Sequence, residues 1–123
     1  CIDRLPELHQ RISSVIIENR DAIELLEKYN QENVFSYIDV PYHWSTRTST
    51  RYECDFTNEQ HERLIDFLLS AKLKALVSGY KCDAYKRLGK KYKRIDFEVK
   101  TVDGNFNKKT KLESLWLVNY ASD

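Results

Sequence analysis

The chain contains no methionine, and its 123 residues include only two prolines, three glycines and three cysteines. Cys1, Cys54 and Cys82 lie far apart with no C-x-x-C pair, which argues against a disulfide framework and against a zinc site. An odd, scattered set of this kind reads as the reduced thiols of a cytoplasmic protein. No apolar run approaches the roughly 18 residues that a membrane-spanning helix needs, and no signal-peptide pattern opens the chain. No spacing of ligand-type residues suits a metal, and there is no internal repeat, low-complexity tract or linker. A chain that begins with Cys and holds no Met is expected to be a piece of something longer.

The residues present describe an ordinary globular domain. With 41% hydrophobic and 32% charged residues, the chain is neither disordered nor membrane-like. Its length suits one domain with a real core, so residues 1–123 are read as a single domain. The net charge of +1 hides an asymmetry. Residues 1–40 carry four basic and eight acidic side chains, whereas residues 86–111 carry ten basic and three acidic ones. The second stretch is either a solvated lysine-rich face or a surface that attracts a polyanion.

Periodicity divides the chain into alternating elements. Residues 4–12 read as a helix with Pro6 in its first turn, and residues 14–18 as a short strand of β-branched residues. Asp21 stands at a helix N-cap position before "AIELLEKY", and "VFSYIDV" reads as a second strand. Residues 43–55 are polar and without period, hence a loop. Thr57 opens "TNEQHERLIDFLLSAKL" with a T-x-x-Q capping box and an apolar face of Leu64, Phe67, Leu68 and Ala71. "KALVSGY" is a third strand, and "CDAYKRLG" a short helix stopped by Gly89. "YKRIDFEVK" and "SLWLVNY" form an antiparallel terminal hairpin whose turn includes Lys108 and Lys109. The pattern predicts a three-layer α/β fold with a mostly parallel sheet, and ligands of such sheets bind beyond the carboxyl ends of the strands.

At one such end stands Asp39-Val40-Pro41-Tyr42. As a plain turn, Asp39 caps it, Pro41 stiffens it and Tyr42 packs beneath the loop. The same residues also suit a harder chemical task. The exocyclic amine of a nucleobase is a poor nucleophile because its lone pair is delocalised into the ring. A carboxylate and a neighbouring backbone carbonyl can accept both of its N–H hydrogens and turn the lone pair out of conjugation. A following proline fixes the carbonyl, and an aromatic ring can stack on an extruded base.

"YIDVPY" resembles the D-P-P-Y motif of DNA adenine-N6 methyltransferases, most closely the Dam-type and phage-type class, and the likeness extends over about residues 3–120. Upstream, "VIIENRDAIELLEKY" resembles the family's strand, acid and helix, its acid preceding the motif by eighteen residues. Downstream, "YECDFTNEQHERLIDFL" is similar to the family's aromatic pair and HxxL helix, "KALVSGY" to its next strand, and "VKTVDGNFNKKTKLESLWLVNY" to its terminal hairpin. The resemblance implies a partial Rossmann-like methyltransferase sheet, S-adenosyl-L-methionine as methyl donor and DNA as partner. It assigns Asp39 to the target amine and the cofactor, the Val40 carbonyl to the amine, Pro41 to backbone shape and Tyr42 to base stacking. It gives Asp21 a bond to the cofactor's adenine amine, beside its helix-capping alternative. It places His43, Trp44, Arg47 and Arg51 on the DNA-facing loop and Lys108 and Lys109 against phosphates. His61 is read as structural.

The chain departs from the family pattern twice. Val40 stands where the family has its first proline, a position whose main contribution is a backbone carbonyl. No F-x-G-x-G motif is present: Gly79, Gly89 and Gly104 are all isolated. The family's early Lys and Trp contacts and its target-recognition region are missing as well. Two or so central strands are therefore expected to be lacking, leaving the gap to be closed by different pairing, by a homodimer or by strands from a second chain. The reading is a site-specific DNA adenine methyltransferase fragment from a restriction–modification, phage or host regulatory system. The alternatives are a non-catalytic nucleic-acid-binding remnant, one half of a split enzyme, or an α/β domain in which D-V-P-Y is only a turn.

Overall fold

A computed structural model describes residues 4–41, 43, 56–102 and 108–120, with backbone alone at 101, 102, 108 and 109. Among these residues four helices and four strands follow one another as α1 (Leu5–Ile12), α2 (Ala22–Lys28), β1 (Phe35–Asp39), α3 (Asn58–Ser70), β2 (Lys74–Gly79), α4 (Lys86–Lys91), β3 (Lys93–Val102) and β4 (Lys108–Val118). The sheet order is β1-β2-β4-β3. β1 and β2 are parallel, joined through α3, while β4 runs antiparallel to both β2 and β3.

Three sequence expectations are corrected by this arrangement. The sheet is mixed and not mostly parallel, because the returning strand β4 inserts between β2 and β3 and makes two of the three pairings antiparallel. Residues 14–18 form no strand. Val15 NH bonds back to the Ile12 carbonyl at the end of α1, and Val15, Ile16 and Ile17 stay 58%, 82% and 85% exposed. A β-branched run becomes a strand only beside a partner that satisfies its backbone, and none of the four described strands, the open-edged β1 and β3 included, pairs with that run. Finally, the described residues form two layers and not three.

The two-layer arrangement follows from strand alternation. Ile38, Ala75, Val77, Trp116 and Val118 share one face and are buried there with Ile23 of α2, Leu64, Ile65 and Leu68 of α3, and Leu88 of α4. On the opposite face Phe35, Tyr37, Ile95 and Phe97 are substantially exposed. No residue of α1 is buried, although Leu5, Leu8 and Ile12 give it an apolar side. α3 has the capping box its sequence suggests: Gln60 NH donates to Thr57 Oγ1 at 3.2 Å, and Thr57 NH donates to Gln60 Oε1 at 2.8 Å. A pair of this kind stabilises a helix end by about 1 kcal/mol. Gly89, read from sequence as a stop, lies inside α4, which continues to Lys91 and ends at Tyr92.

Two asparagines fix where β2 begins. Asn30 Oδ1 accepts from Lys72 NH at 2.7 Å and from Leu73 NH at 3.3 Å, which ties the end of α2 to the start of β2. Asn119 Nδ2 donates to the carbonyls of Ala71 and Leu73, both at 2.8 Å, from a backbone φ of 57° that asparagine tolerates better than most residues. The parallel pair is thereby held in register, which sets the height of Asp39 at the end of β1.

A charged cluster braces the β3–β4 pair on the face that carries Trp116. Ser114 Oγ donates to Asp96 Oδ1 at 2.7 Å, and Arg94 grips the same carboxylate through Nε at 2.7 Å and Nη2 at 2.9 Å. The Ser114 hydrogen bond first, and the Arg94 bond next, hold the Asp96 carboxyl below the usual carboxylate range. A depressed folded-state value contributes stability above the unfolded value of about 4, and that contribution disappears as pH falls toward the folded value. Asp96→Asn is therefore expected to lower the urea midpoint at pH 7. The gap between variant and parent should narrow progressively below about pH 4. An equal gap at pH 7 and pH 3 would show that the carboxylate's charge plays no part.

Candidate functional site

β1 and β2 run in the same direction and end together, so their last residues share one rim of the sheet. Asp39, the last residue of β1, is aligned with Ser78, the next-to-last of β2. Ser78 is buried, and its Oγ donates to Asp39 Oδ1 at 2.8 Å. Asp39 itself is exposed, and its Oδ2 has no partner among the described residues. Val40 turns inward and packs against the core, and Pro41 is half-buried. The alternation seats the loop base by an aliphatic side chain while leaving the carboxylate at the rim. One oxygen of that carboxylate is anchored and the other is available to accept a hydrogen bond.

Asp21 caps α2. Its Oδ1 accepts from Ile23 NH at 3.0 Å and from Glu24 NH at 3.1 Å, which satisfies two amides that the first helical turn leaves without partners. Its Oδ2 has no partner among the described residues. Tyr42, Trp44, Arg47 and Arg51 lie outside the described residues. Lys108 and Lys109 were expected in the hairpin turn but open β4, paired with Val102 and Thr101; their side chains lie outside the description. Strands continue through polar residues wherever the ladder has a partner, and here β3 supplies one as far as Val102.

His43 is half-buried, with its ring centroid 5.1 Å from that of His61. His61 is 1% exposed, and its Nδ1 is 3.0 Å from Tyr85 Oη. Burial first, then the proximity of Cys82 and Glu62, pushes the Tyr85 hydroxyl well above its ordinary pKa, so it stays protonated at neutral pH. Ser78 and Tyr85 were not among the site residues expected from sequence, and His61 was expected only as a structural residue. Ser78 would have been found only from the strand register, since a serine before a glycine at a strand end looks like an ordinary turn residue.

The basic stretch is partly neutralised within the chain. Arg87 pairs with Glu62 at 3.2 Å and Asp66 at 2.7 Å, Lys86 with Asp83 at 2.9 Å, and Arg94 with Asp96. Lys91 Nζ donates to the Leu69 carbonyl. Its excess of positive charge is thus smaller at the surface than the residue count suggests, although exposed pairs of this kind are weak.

S-Adenosylmethionine offers an ammonium and an adenine amine as hydrogen-bond donors, so its site needs acceptors. The uncommitted Oδ2 atoms of Asp39 and Asp21 are acceptors of the required chemistry, and in that respect the described residues fit it.

Fold and site together define an α/β protein that presents an anchored carboxylate, followed by a proline, at the carboxyl end of a strand in a mixed sheet. The chain belongs to the family of D12 class N6 adenine-specific DNA methyltransferases, whose family model matches residues 2–103. No curated protein and no solved structure gives a match.

Proposed function

We propose that the chain is the C-terminal catalytic portion of an S-adenosylmethionine-dependent DNA adenine-N6 methyltransferase. The observation that carries the reading is Asp39. In a chain of this family it stands exposed at the end of β1, with Oδ1 held by Ser78 and with Val40 and Pro41 following. Asp39 Oδ2 accepts one hydrogen of the adenine amine, and the Val40 carbonyl accepts the other. Together they turn the nitrogen lone pair away from ring conjugation, and Pro41 restricts the backbone that carries the carbonyl. Tyr42 stacks on the extruded base, and Arg47, Arg51, Lys108 and Lys109 meet the phosphate backbone. Asp21 and Asp39 would hold the cofactor, which when bound would supply an electrophilic methyl group on a sulfonium. Asp39 Oδ2 would take the proton that the amine nitrogen must lose once its new carbon–nitrogen bond has replaced the donor's carbon–sulfur bond, the donor leaving as a neutral thioether. Positioning of this kind is the main contribution a protein makes to a direct displacement.

A second reading is supported by a specific observation. Leu5, Leu8, Ile12, Val15, Ile16 and Ile17 are exposed, and so are Phe35 and Tyr37 on the open face of β1. So much apolar surface suits a non-catalytic remnant or one half of a split methyltransferase, completed by a homodimer partner or a second chain. Calorimetric titration of the chain with S-adenosylmethionine separates the two. Saturable binding that disappears in Asp39→Ala is the expected result for an assembled site. Absence of binding by the parent chain would overturn the catalytic reading for this chain alone and favour the second.

A further inference from the structure

His61 lies one turn into α3, and at 1% exposure it is as buried as the aliphatic residues around it. Its ring contacts follow a pattern that core packing alone does not require. Phe56 meets the imidazole edge-on, with centroids 5.0 Å apart and planes at 85°. His43 meets it at 5.1 Å with planes at 55°. In sequence these two residues bracket residues 44–55, and His43 follows Asp39-Val40-Pro41 by two positions. Behind the imidazole, Nδ1 is 3.0 Å from Tyr85 Oη, and the Tyr85 ring is in turn 5.1 Å from Trp116. One imidazole therefore contacts His43 and Phe56, the two residues that flank 44–55 in sequence, and bonds the Tyr85 hydroxyl, whose ring packs against Trp116.

We infer that His61 is a positioning residue. It holds His43 and Phe56 against the core, and through His43 it sets the direction in which the chain leaves Pro41. The imidazole supplies two things at once: a flat ring that takes edge and tilted contacts from two aromatic neighbours, and a ring nitrogen that satisfies a buried hydroxyl. A leucine in that place would supply neither. The inference deepens the methyltransferase reading, because it rests on that reading only for why the direction after Pro41 matters; the contacts themselves stand without it.

Two variants separate the ring from the nitrogen. His61→Asn keeps a polar atom near the position of Nδ1 and removes the ring, whereas His61→Phe keeps the ring and removes the bond to Tyr85. The measurement is NMR on the full 123-residue chain. Nuclear Overhauser contacts from the His61 ring to the rings of His43 and Phe56 are expected in the parent protein. In His61→Asn, the His43 and Phe56 ring signals should move toward solvent-exposed positions. Their amides should exchange about five- to tenfold faster, the factor expected when a ring contact of this kind is lost, while those of Leu68 and Val77 keep their rates. His61→Phe should restore the His43 and Phe56 signals without restoring the bond to Tyr85. A general core role would instead raise exchange at Leu68 and Val77 together with the rest, and that result would overturn the assignment. So would unchanged His43 and Phe56 signals in His61→Asn. Should His61→Asn fail to fold, His43→Ala at the half-buried end of the cluster gives the same answer. It is expected to displace the His61 ring signals and to leave the core intact, and unmoved His61 signals would refute the inference. None of these readouts involves the methyl donor or DNA. A chain that fails to bind S-adenosylmethionine can still show them, and a chain that binds it can still lack them.

Discussion

Trp116→Ala is expected to leave the chain only marginally stable at 25 °C. The indole is 1% exposed in β4, the strand joined to both β2 and β3, and it packs against Tyr85 with centroids 5.1 Å apart. Gly79 and Gly89 leave room on either side: a Cβ at Gly79 would lie 3.5 Å from the indole, and one at Gly89 3.8 Å from Nε1. Emptying that volume removes transfer free energy and leaves a cavity that neighbouring strands cannot close, a loss of about 3–5 kcal/mol. Domains of this size have about 5–15 kcal/mol in total. One with an uncovered sheet face belongs near the bottom of that range, because less of its apolar surface is removed from water. Trp116→Phe is expected to cost far less than its size change suggests. The indole Nε1 is buried without a hydrogen-bond partner among the described residues, and phenylalanine removes that penalty together with the atoms. Urea titration followed by far-UV circular dichroism measures both variants without interference from the second tryptophan, Trp44. A loss below about 1 kcal/mol in Trp116→Ala would contradict the placement of β4 at the centre of the sheet.

The elements that sequence revealed are those whose signals are local. The capping box at Thr57 and Gln60 depends on residues three apart, and it forms as read. The strand ending at Asp39 and the one at "KALVSGY" announce themselves by short apolar runs between polar ones, and Asp21 is recognisable as a cap by its position alone. Elements whose existence depends on a distant partner were misread. Val15, Ile16 and Ile17 have strand composition but pair with no described strand, whereas Lys108 and Lys109 look like a turn and pair with β3 because that partner is present. Gly89 resembles a helix stop, yet it lies inside α4 beside the Trp116 indole. The site divides the same way. Asp39, Val40 and Pro41 stand out as a contiguous motif. Ser78 is thirty-nine residues away and meets Asp39 only through the register of β1 and β2. His61 is legible as structural, but its contacts with His43, eighteen residues before it, and with Phe56 appear only in the folded chain.

If the chain carries the proposed activity, Ser78→Ala is expected to lower the turnover number for methyl transfer by about ten- to a hundredfold, with the KM for DNA changed no more than about twofold. The argument rests on geometry. With Oδ1 taken by Ser78 at 2.8 Å, rotation of the Asp39 carboxylate is restricted and Oδ2 keeps a single direction. Without the hydroxyl the carboxylate turns freely at an exposed rim. The amine is then met in the productive orientation for only a fraction of the time, a loss that appears in the chemical step and not in the binding of phosphates. Asp39→Ala removes the acceptor itself and should cost more, about a thousandfold or beyond. Ser78→Thr keeps the hydroxyl and adds one methyl group at a buried position, so it should recover part of the lost rate. The double variant is the sharpest comparison. If Ser78 acts only through Asp39, then Ser78→Ala in the Asp39→Ala background changes nothing further, and the two losses are far from additive. Additive losses would mean that Ser78 acts on something other than Asp39. A Ser78→Ala variant with the parent's turnover number would show that one anchored oxygen is not what makes this carboxylate useful. Calorimetry with S-adenosylmethionine on the same variants then tells whether the anchored oxygen matters for holding the cofactor or only for presenting the amine.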